Sequence, residues 1–511
     1  MALHPLKIPE IVALVGHFLP LWTLKLRAYQ GDDIPHNHFQ PATFHTCFLV
    51  NKLWYRILLP ILWREYFYSG MVDVPPHVVE QQSVHFRHFI SYGGVDSTFN
   101  CTSLKTLTLI YDNDWMAPNM SPQAQKQLVR MNPGLESLEW DGSPLVPKRP
   151  RARLDAEDFR MLGNLRHLQL DRWDGSQGLL VKVLQAVARK LEVIDIKKVV
   201  DFKESDLTTV LQTPGDGDGE QVSRISAGEQ ETGLEMPSVR TLRVRCYPKN
   251  NEMIFLAGSC PNLQQIDLDI SAPQFEATRL AGTLRDRCTQ LHTLKISDSF
   301  YGKDSRQDLL FGHLIRDCSL SGLTMIEVSV MRQQNNDRDF LSSILRHAAT
   351  LEHLVVDYCT NTLIAFDAEE VLRLLVQCRR LKVLCLNGSA GIETLETLAM
   401  LKCEAWGCTA LERLDLHFGF RVPGKRMQIR SDHALADISS TKDFMGWYCH
   451  AQKSYRLDGY AEQMPKAWLE ELFKLVEDLE RMQVLTWCDV VYTRSPDPRA
   501  TTALKPLRKY H

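Results

Sequence analysis

The chain has 511 residues, a formal net charge of −3 at pH 7 and a hydrophobic fraction of 44%. A charge this close to zero gives no electrostatic reason to expect nucleic acid or an anionic membrane surface as the main partner. The 13 cysteines are scattered and form no C-x-x-C pair, which argues against a disulfide framework and a zinc site. The apolar stretch at 11–22 is too short to cross a bilayer. We therefore expect a cytosolic or nuclear protein that needs no metal, no cofactor and no membrane.

The first 70 residues differ in pattern from everything that follows them. Apolar residues recur at three- and four-residue steps in 11–19 and again in 50–62, which predicts helices in both places. Proline is not tolerated inside a helix, because it lacks the N–H group and clashes with the preceding turn. We therefore predict that one helix ends at Leu59 and that Pro60 opens a third, short helix carrying Trp63.

The segment between these helices, 24–43, is predicted to be a loop insertion. Its residues include Gly31, Asp32, Asp33, Pro35, Asn37 and Pro41, a composition typical of loops. We expect the insertion to bulge from the helical core.

Three phrases stand out in this region: Ile8-Pro9-Glu10-Ile11, Leu49-Val50-Asn51-Lys52-Leu53-Trp54-Tyr55 and Leu62-Trp63-Arg64. They resemble the F-box, whose pattern runs roughly L-P-x-E-I, then L-V-C-K-x-W, then L-W. About the first 65 residues therefore resemble the F-box, with Asn51 where a cysteine is common and the insertion at 24–43 as departures. This resemblance implies that a Skp-type adaptor would be bound by Pro9, Ile11, Leu49, Val50 and Trp54. The alternative is a helical cap that shields the leucines of the first repeat.

After a predicted linker at 71–100, a phrase with the pattern L-x-x-L-x-L recurs about a dozen times, most clearly at Leu263-Gln-Gln-Ile266-Asp-Leu268. Most gaps between copies are 28 to 31 residues long. An alternating apolar strand with room for a helix at this period indicates a leucine-rich-repeat solenoid, in which neighbouring repeats stack to bury their leucines. The first apolar residues of the copies are Leu104, Leu135, Leu165, Leu191, Val239, Leu263, Leu291, Leu323, Leu351, Leu381, Leu411 and Leu479.

Local signals support a helix after each strand. Ser121-Pro122 offers an N-cap with proline at the first helical position, and Asp367 with Glu370 forms a capping-box pattern. Three places before the first leucine, a cysteine recurs at Cys101, Cys260, Cys288, Cys378 and Cys408. This regularity predicts a small buried packing residue and no reactive thiol. It also resembles the cysteine-containing class of leucine-rich repeats found in F-box proteins.

Two insertions, near 201–237 and 420–466, interrupt the period. The first contains Asp216, Asp218 and Glu220, but it lacks the glycine and glutamate that an EF-hand loop needs, so we expect a disordered surface loop. The second has a basic piece, then an aromatic piece, then a predicted helix at 465–479. Its basic and aromatic residues are Arg421, Lys425, Arg426, Arg430, Phe444, Trp447, Tyr448, Tyr455 and Tyr460.

Residues that alternate with the buried strand positions should line a concave face. They are Glu139, Asp141, Asp171, Asp195, Asp267, Asp269, Glu327, Asp357 and Asp415, against Lys197, Arg243, Arg245, Lys295, Arg413 and Arg481. Nucleic acid would require a basic stripe, so this acidic mixture favours a protein client. The sequence has no H-E-x-x-H, G-x-S-x-G or P-loop motif, and we do not expect an enzyme.

The sequence thus predicts an α/β leucine-rich-repeat solenoid over 101–490, a horseshoe with its parallel sheet on the concave face, preceded by a three-helix F-box-like module at 1–70 and followed by a tail at 491–511. By resemblance, such a protein recognises substrates for a Skp-cullin-F-box ubiquitin ligase. The alternative is a repeat scaffold or inhibitor that meets no ligase. The predicted client-binding residues are Arg413, Asp415, His417, Trp447, Tyr448 and Tyr455, although the aromatic ones could instead form a C-terminal cap.

Overall fold

The structure is a computed structural model that divides into two compact units, Met1–Asn262 and Leu263–His511. Each unit is described by itself. The described residues are 5–29, 32–91, 99–109, 122–141, 154–171, 173–174, 180–197, 199–200, 234–245, 250–269, 276–298, 308–330, 338–358, 366–390, 401, 405–418, 447–451, 479, 481, 484–487 and 490–494. The boundary between the units falls inside the predicted solenoid.

The first unit begins with three helices, α1 (Pro9–Phe18), α2 (Ala42–Phe48) and α3 (Lys52–Leu62), and both α1 and α2 pack against α3. Helix α3 runs through Pro60 without a break, so the predicted division at Leu59 is wrong. Proline removes one N–H group from the helix ladder, but only two residues of α3 follow it, so the disruption is confined to the last turn. Helix α2 was not predicted.

The predicted loop at 24–43 is largely a hairpin. Strands β1 (Trp22–Tyr29) and β2 (Asp32–Phe39) pair antiparallel, and only Gln30 and Gly31 separate them in the sequence. A two-residue connection containing glycine is a common hairpin signal. The sequence of β1 alternates apolar and polar residues, as a strand should. Proline at position 35 obscured the second strand, yet proline is tolerated at a sheet edge, and both strands of a two-stranded ribbon are edges.

The first unit continues with β3 (Glu65–Phe67), β4 (His88–Ser91), β5 (Thr106–Leu109), β6 (Ser137–Asp141), β7 (His167–Asp171), β8 (Trp173–Asp174), β9 (Val193–Ile196), β10 (Val199–Val200) and β11 (Thr241–Val244). Strands β8 and β10 pair with each other, and the other seven pair in parallel in chain order. The helices are α4 (Pro76–Gln82), α5 (Pro122–Met131), α6 (Ala156–Arg160), α7 (Leu180–Val187) and α8 (Asn250–Gly258). The segment 71–100, predicted to be a linker, therefore contributes α4 and β4, and the parallel pairing already begins at β3.

The second unit contains β12 (Gln265–Asp269), β13 (Thr293–Asp298), β14 (Met325–Val330), β15 (His353–Tyr358), β16 (Val383–Ala390), β17 (Arg413–Phe418), β18 (Trp447–Ala451), β19 (Val484–Trp487) and β20 (Val490–Arg494). Strands β12 to β17 pair in parallel in chain order, and β19 extends them beside β17. Strand β20 is antiparallel to both β19 and β18, so part of the predicted tail belongs to the sheet. Helices α9 (Ala277–Arg287), α10 (Asp308–Asp317), α11 (Arg338–Leu345) and α12 (Ala368–Gln377) pack on one another in sequence.

The predicted start of the last phrase at Leu479 is displaced. Strand β17 pairs Leu414 with Leu485 and Leu416 with Trp487, and its own phrase begins three residues before Leu414. The matching first position is therefore 482, three residues after Leu479. All twelve predicted first positions are nevertheless buried, Leu479 included.

In β4, β7, β11 and β12, buried and more exposed residues alternate, as the phrase predicts, whereas in β5 and β9 the last three residues are all buried. Connections between neighbouring parallel strands are right-handed, so the connections that carry helices place them on one face of the sheet. We call the other strand face of each unit its open face. In the first unit it carries Thr108, Glu139, Gln169, Asp195 and Arg243, and in the second unit Asp267, Lys295, Glu327, Val355, Cys385 and Asp415. The architecture of both units is α/β and compatible with a solenoid.

The helix starts and the recurring cysteines agree with the sequence prediction. Helix α5 begins at Pro122, and Asp367 and Glu370 form a reciprocal capping box at the start of α12. The five recurring cysteines are all buried. Burial raises the pKa of Cys288 and Cys378 to about 12, so these thiols stay protonated. Among the described residues, no helix has both the length and the apolar character needed to cross a membrane.

Candidate functional site

Exposed apolar side chains are concentrated on the N-terminal helical module. Six of the ten large apolar side chains that are exposed in the described residues lie before residue 56. We call these six the module surface: Leu6, Leu14, Phe18, Leu49, Val50 and Tyr55. A soluble protein exposes single apolar residues routinely, but a concentration of them marks an interaction site.

Helix α1 contributes one part of this surface. Its Val12 and Gly16 are buried, and a side chain added at Gly16 would lie 2.6 Å from the Leu58 Cδ2 atom, which shows how closely α1 approaches α3. Leu14 and Phe18 lie one helical turn apart and are exposed, Phe18 by 80%. A helix that is apolar all round normally has every face covered. The exposed side of α1 is therefore suited to a partner.

The turn between α2 and α3 contributes the other part. Asn51 caps α3, because its Oδ1 atom accepts hydrogen bonds from the Leu53 N–H at 2.9 Å and the Trp54 N–H at 3.1 Å. The capped turn leaves Leu49 86% exposed and Val50 more than half exposed. The asparagine that departs from the F-box pattern thus has a clear local role in fixing this turn.

The five predicted adaptor-binding residues do not all lie on the surface. Pro9, Leu49 and Val50 are exposed and Ile11 is half-buried, but Trp54 is only 7% exposed. Its indole Nε1 donates a hydrogen bond to the Leu6 carbonyl at 3.0 Å, which holds the ring inside the module. The predicted surface position of Trp54 is therefore wrong.

The sequence prediction missed Leu14 and Phe18 as candidate surface residues. Both fit the apolar helix pattern at 11–19, which by itself does not separate the buried side of the helix from the exposed side. The glycine at position 16 is the signal that could have separated the two sides of α1, because a small residue marks the side of closest helix approach.

The open face of the second unit presents side chains in regular rows. The register places Met325, His353, Val383 and Arg413 side by side on four neighbouring strands, with Glu327, Val355, Cys385 and Asp415 in the next row. Met325, His353, Val355 and Val383 are half-buried, whereas Arg413 is exposed. Neighbouring parallel strands lie about 4.8 Å apart, so adjacent members of a row can contact one ligand side chain together.

Arg413 and Asp415 form the best-defined ion pair of this face. Arg413 donates from Nε to Asp415 Oδ2 at 2.7 Å and also from Nη2 to the same oxygen. Cys385 donates its thiol to that oxygen at 3.3 Å, and Asp415 is 3% exposed. Burial alone would lower the pKa of Arg413, but the hydrogen bond and charge of Asp415 outweigh burial and raise it. The guanidinium therefore stays charged and is held in one orientation.

On the open face of the first unit, acidic residues lie beside basic ones. Lys197 lies 3.4 Å from Glu139, and Arg243 lies 3.8 Å from Asp195. Burial raises the pKa of Glu139, and the nearby Asp195 adds to this effect while Lys197 opposes it. Asp195 itself is buried, as is Asp415 in the second unit, so the predicted acidic face is less open to solvent than the sequence suggested.

Several residues that were predicted to line the concave face or to bind the client lie elsewhere or outside the described residues. Arg481, assigned to the concave face through the displaced phrase at Leu479, precedes β19 and is not on a strand. His417 lies in β17, and Trp447 and Tyr448 lie in β18, which pairs with β20. Tyr455 and the predicted helix at 465–479, apart from Leu479, lie outside the described residues, as do the first insertion up to residue 233 and most of the second. Their part in client binding stays a prediction.

Within the described ranges, no three His, Cys, Asp or Glu side chains converge as a metal site would require. No protein-family model matches this sequence, and no curated protein matches it.

Proposed function

We propose that the chain is the non-catalytic substrate-recognition subunit of a Skp-cullin-F-box ubiquitin ligase, acting in the cytosol or nucleus. In this proposal the helical module is an F-box that docks on a Skp-type adaptor. The parallel strands and helices that follow are leucine-rich repeats, and they bind a protein client. The module surface carries the proposal, because it leaves six large apolar side chains exposed in the region where the F-box-like phrases lie.

The energetics of the module surface favour docking on an apolar partner. Covering a fully exposed leucine or phenylalanine contributes about 1.5 to 3 kcal/mol. Leu49 and Phe18 are the two most exposed of the large apolar side chains in the described residues. A few apolar anchors of this kind commonly supply most of the affinity of an interface.

The module is also firmly joined to the first strand, as a ligase subunit requires if it is to hold a client at a set position. The Trp22 indole Nε1 donates to Glu65 Oε2 at 3.0 Å, and Arg64 donates from Nη2 to Glu65 Oε1 at 2.7 Å. Arg64 also lies 3.0 Å from His17 Nδ1 of α1. These contacts connect the hairpin, α1 and β3, so an adaptor docked on the module would have a defined position relative to the strands of the first unit.

The adaptor prediction is tested with Phe18→Ala combined with Leu49→Ala in the tagged full-length chain. We expect co-purification of the Skp-type adaptor from cells to be lost, with an affinity decrease of about a hundredfold or more from the two lost anchors. Both side chains are exposed, so the melting temperature should change little. Trp54→Ala is unsuitable for this purpose, because removing a buried indole destabilises the module itself.

The matched control is Met161→Ala combined with Leu320→Ala, which removes two exposed apolar side chains outside the module. It should leave adaptor co-purification intact. Equal capture of the adaptor by the wild type and both variants, or by none of them, would favour the alternative. In that alternative the chain is a leucine-rich-repeat scaffold or inhibitor that meets no ligase, and its helical module is only a cap.

A further inference from the structure

We infer that the open face of the second unit, at β14 to β17, binds an extended client segment in which an aspartate or glutamate stands two positions from a medium-sized apolar residue. This inference rests on the proposed function, because it names the chemical class of the client. The cluster that recognises the segment consists of Met325, Val355, Val383 and Arg413, and we call it the acidic-apolar site.

Arg413 supplies the charge recognition. Two of its nitrogen atoms, Nε and Nη2, are committed to the same buried oxygen of Asp415, so the orientation of the guanidinium is fixed before any ligand arrives. About half of the side chain, 52%, remains exposed. A planar guanidinium has five N–H groups, and those not aimed at Asp415 can donate to a carboxylate of the client. Because the side chain is already ordered, binding costs little additional rotamer entropy.

The charge of Asp415 does not cancel this attraction. Asp415 is buried beneath the guanidinium and its oxygen Oδ2 already accepts from Arg413 and Cys385, so the solvent-facing member of the pair is the cation. In the two rows themselves the nearest other acidic residue is Glu327, which lies three strands away and is paired with Lys295. Asp357 lies on the same face two strands away, and Glu412 directly precedes Arg413, so the positive group offered to a ligand at β17 is the guanidinium alone.

Apolar recognition comes from the neighbouring strands. Val383 is the register partner of Arg413, and Val355 and Met325 lie on the next two strands. All three are half-buried, so each still offers apolar area to a ligand. In an extended segment the side chains on one face are two residues and about 7 Å apart, so the carboxylate over Arg413 and the apolar group over Val383 and Val355 belong to residues two positions apart. Met325, three strands from Arg413, faces the residue four positions away.

The carboxylate is assigned to a side chain within the client and not to its C terminus. The rows run from β14 to β17 as a continuous surface of strands, along which a segment can lie without ending. A segment that passes across the strands fits this surface better.

The test begins with a library of random twelve-residue peptides, each displayed between two folded flanking domains so that no peptide has a free C terminus. The purified full-length chain is used for selection. We expect enriched peptides to carry Asp or Glu two positions from Val, Ile, Leu or Met. Failure to enrich any peptide, or enrichment without this pair, would overturn the inference. So would binding that appears only when the same library is displayed with free C termini.

Variants then locate the site, with fluorescence anisotropy of a selected peptide as the measurement. Arg413→Gln should weaken binding by at least about tenfold, because it removes a hydrogen-bonded charge pair. The matched control, Arg243→Gln, changes an arginine that also lies beside a buried aspartate on an open face, but in the first unit. It should leave binding unchanged, and equal losses in both variants would contradict the assignment.

Arg413→Gln leaves Asp415 buried without its cation and could therefore destabilise the fold. A second pair of variants tests binding without removing that cation. Val383→Lys should bind the acidic peptide more tightly than Val383→Glu, because both variants lose the same apolar contact and differ only in the sign of the added charge, and neither should lower the melting temperature. Equal affinities in these two variants would overturn the inference. Adaptor co-purification is a separate measurement that depends on the module surface. Loss of adaptor binding with intact peptide selection would therefore refute only the ligase role, and the reverse would refute only the acidic-apolar site.

Discussion

Leu384→Asp is expected to unfold strands β14 to β17 of the second unit. Leu384 is fully buried in β16, where its register partners are Leu354 on one side and Leu414 on the other. A carboxylate at this position would lie among leucines, with no cation or hydrogen-bond donor from the side chains that flank it. The cost of such burial is at least several kcal/mol, which is comparable with the whole stability of a typical domain. Strands that pair only with their neighbours should lose order together around the substitution.

The control for this prediction is the adjacent substitution Val383→Asp. Val383 belongs to the same strand but lies on the open face and is half-buried, so an aspartate there reaches water. We expect circular dichroism and hydrogen exchange to show lost protection over β14 to β17 in Leu384→Asp and near-native protection in Val383→Asp. Similar protection in both variants would contradict the structure, in which Leu384 of β16 is buried and Val383, on the other face, is only half-buried.

The strands from β5 to β17, apart from β8 and β10, could be predicted because their signal is local and repeated. Leu263, Ile266 and Leu268 lie within six positions of one another, and all three are fully buried. Ile266 and Leu268 each lie beside the equivalent residue of the next repeat. Burial of apolar area dominates the energetics of such a strand, and it leaves a pattern that one window of sequence contains.

Strands β3 and β4 escaped prediction because they use aromatic residues in place of leucines. Tyr66 of β3 stacks on Phe89 of β4, with ring centroids 4.6 Å apart, and Phe86 and Phe99 complete the cluster. The buried positions are equivalent to those of the leucines, but a template of leucine, isoleucine and valine does not detect them. The same physical pattern was present with different side chains.

Long-range contacts account for the errors in the module and at the end of the sheet. The carbonyl that holds Trp54 inside the module belongs to Leu6, and no local pattern indicates that contact. At the last phrase, apolar residues at 479, 482 and 484 fit the template as well as the true set does. The pairing with β17 decides between them, and it involves residues about 70 positions apart.

The candidate client site was predicted in part. Arg413 and Asp415 follow from alternation, because they flank the buried Leu414 on the same strand. The burial of Asp415 could not be predicted, since it involves Cys385 on the neighbouring strand, 30 residues earlier. The fixed orientation of Arg413, which the acidic-apolar site requires, depends on that burial.

The second large effect is expected at His347, a buried histidine that joins two neighbouring segments of the second unit. It is 2% exposed, and its Nδ1 atom accepts a hydrogen bond from the Leu323 N–H at 3.1 Å. The proton must therefore be on Nε2, which donates to the Ile315 carbonyl at 2.7 Å. His347→Ala would leave both backbone groups unpaired in the interior, at a cost of about 2 to 6 kcal/mol in the free energy of unfolding.

His347→Gln is the conservative partner of that variant, because a glutamine still offers one acceptor and one donor. The buried Asn132 of the first unit supports this choice: its amide accepts from the Leu104 N–H at 2.8 Å and donates to the Cys101 carbonyl at 2.7 Å. We expect His347→Gln to recover part of the stability lost in His347→Ala, measured as denaturant midpoints at pH 7.5. Equal losses in the two variants would show that the ring acts only by filling space.

The neutral state of His347 also predicts how stability changes with pH. Burial lowers its pKa below the ordinary value of 6.5, the Ile315 hydrogen bond opposes this effect, and the charge of Arg346 adds to it. A histidine with a lowered pKa in the folded state stabilises the fold fully above the unfolded-state pKa, and that stability is lost as the pH falls below it. The advantage of the wild type over His347→Gln should therefore shrink between pH 6.5 and 5, by at most about 1.4 kcal/mol per pH unit. Other histidines titrate alike in both proteins and cancel in the difference, so an advantage that stays constant or grows in acid would contradict a buried neutral ring.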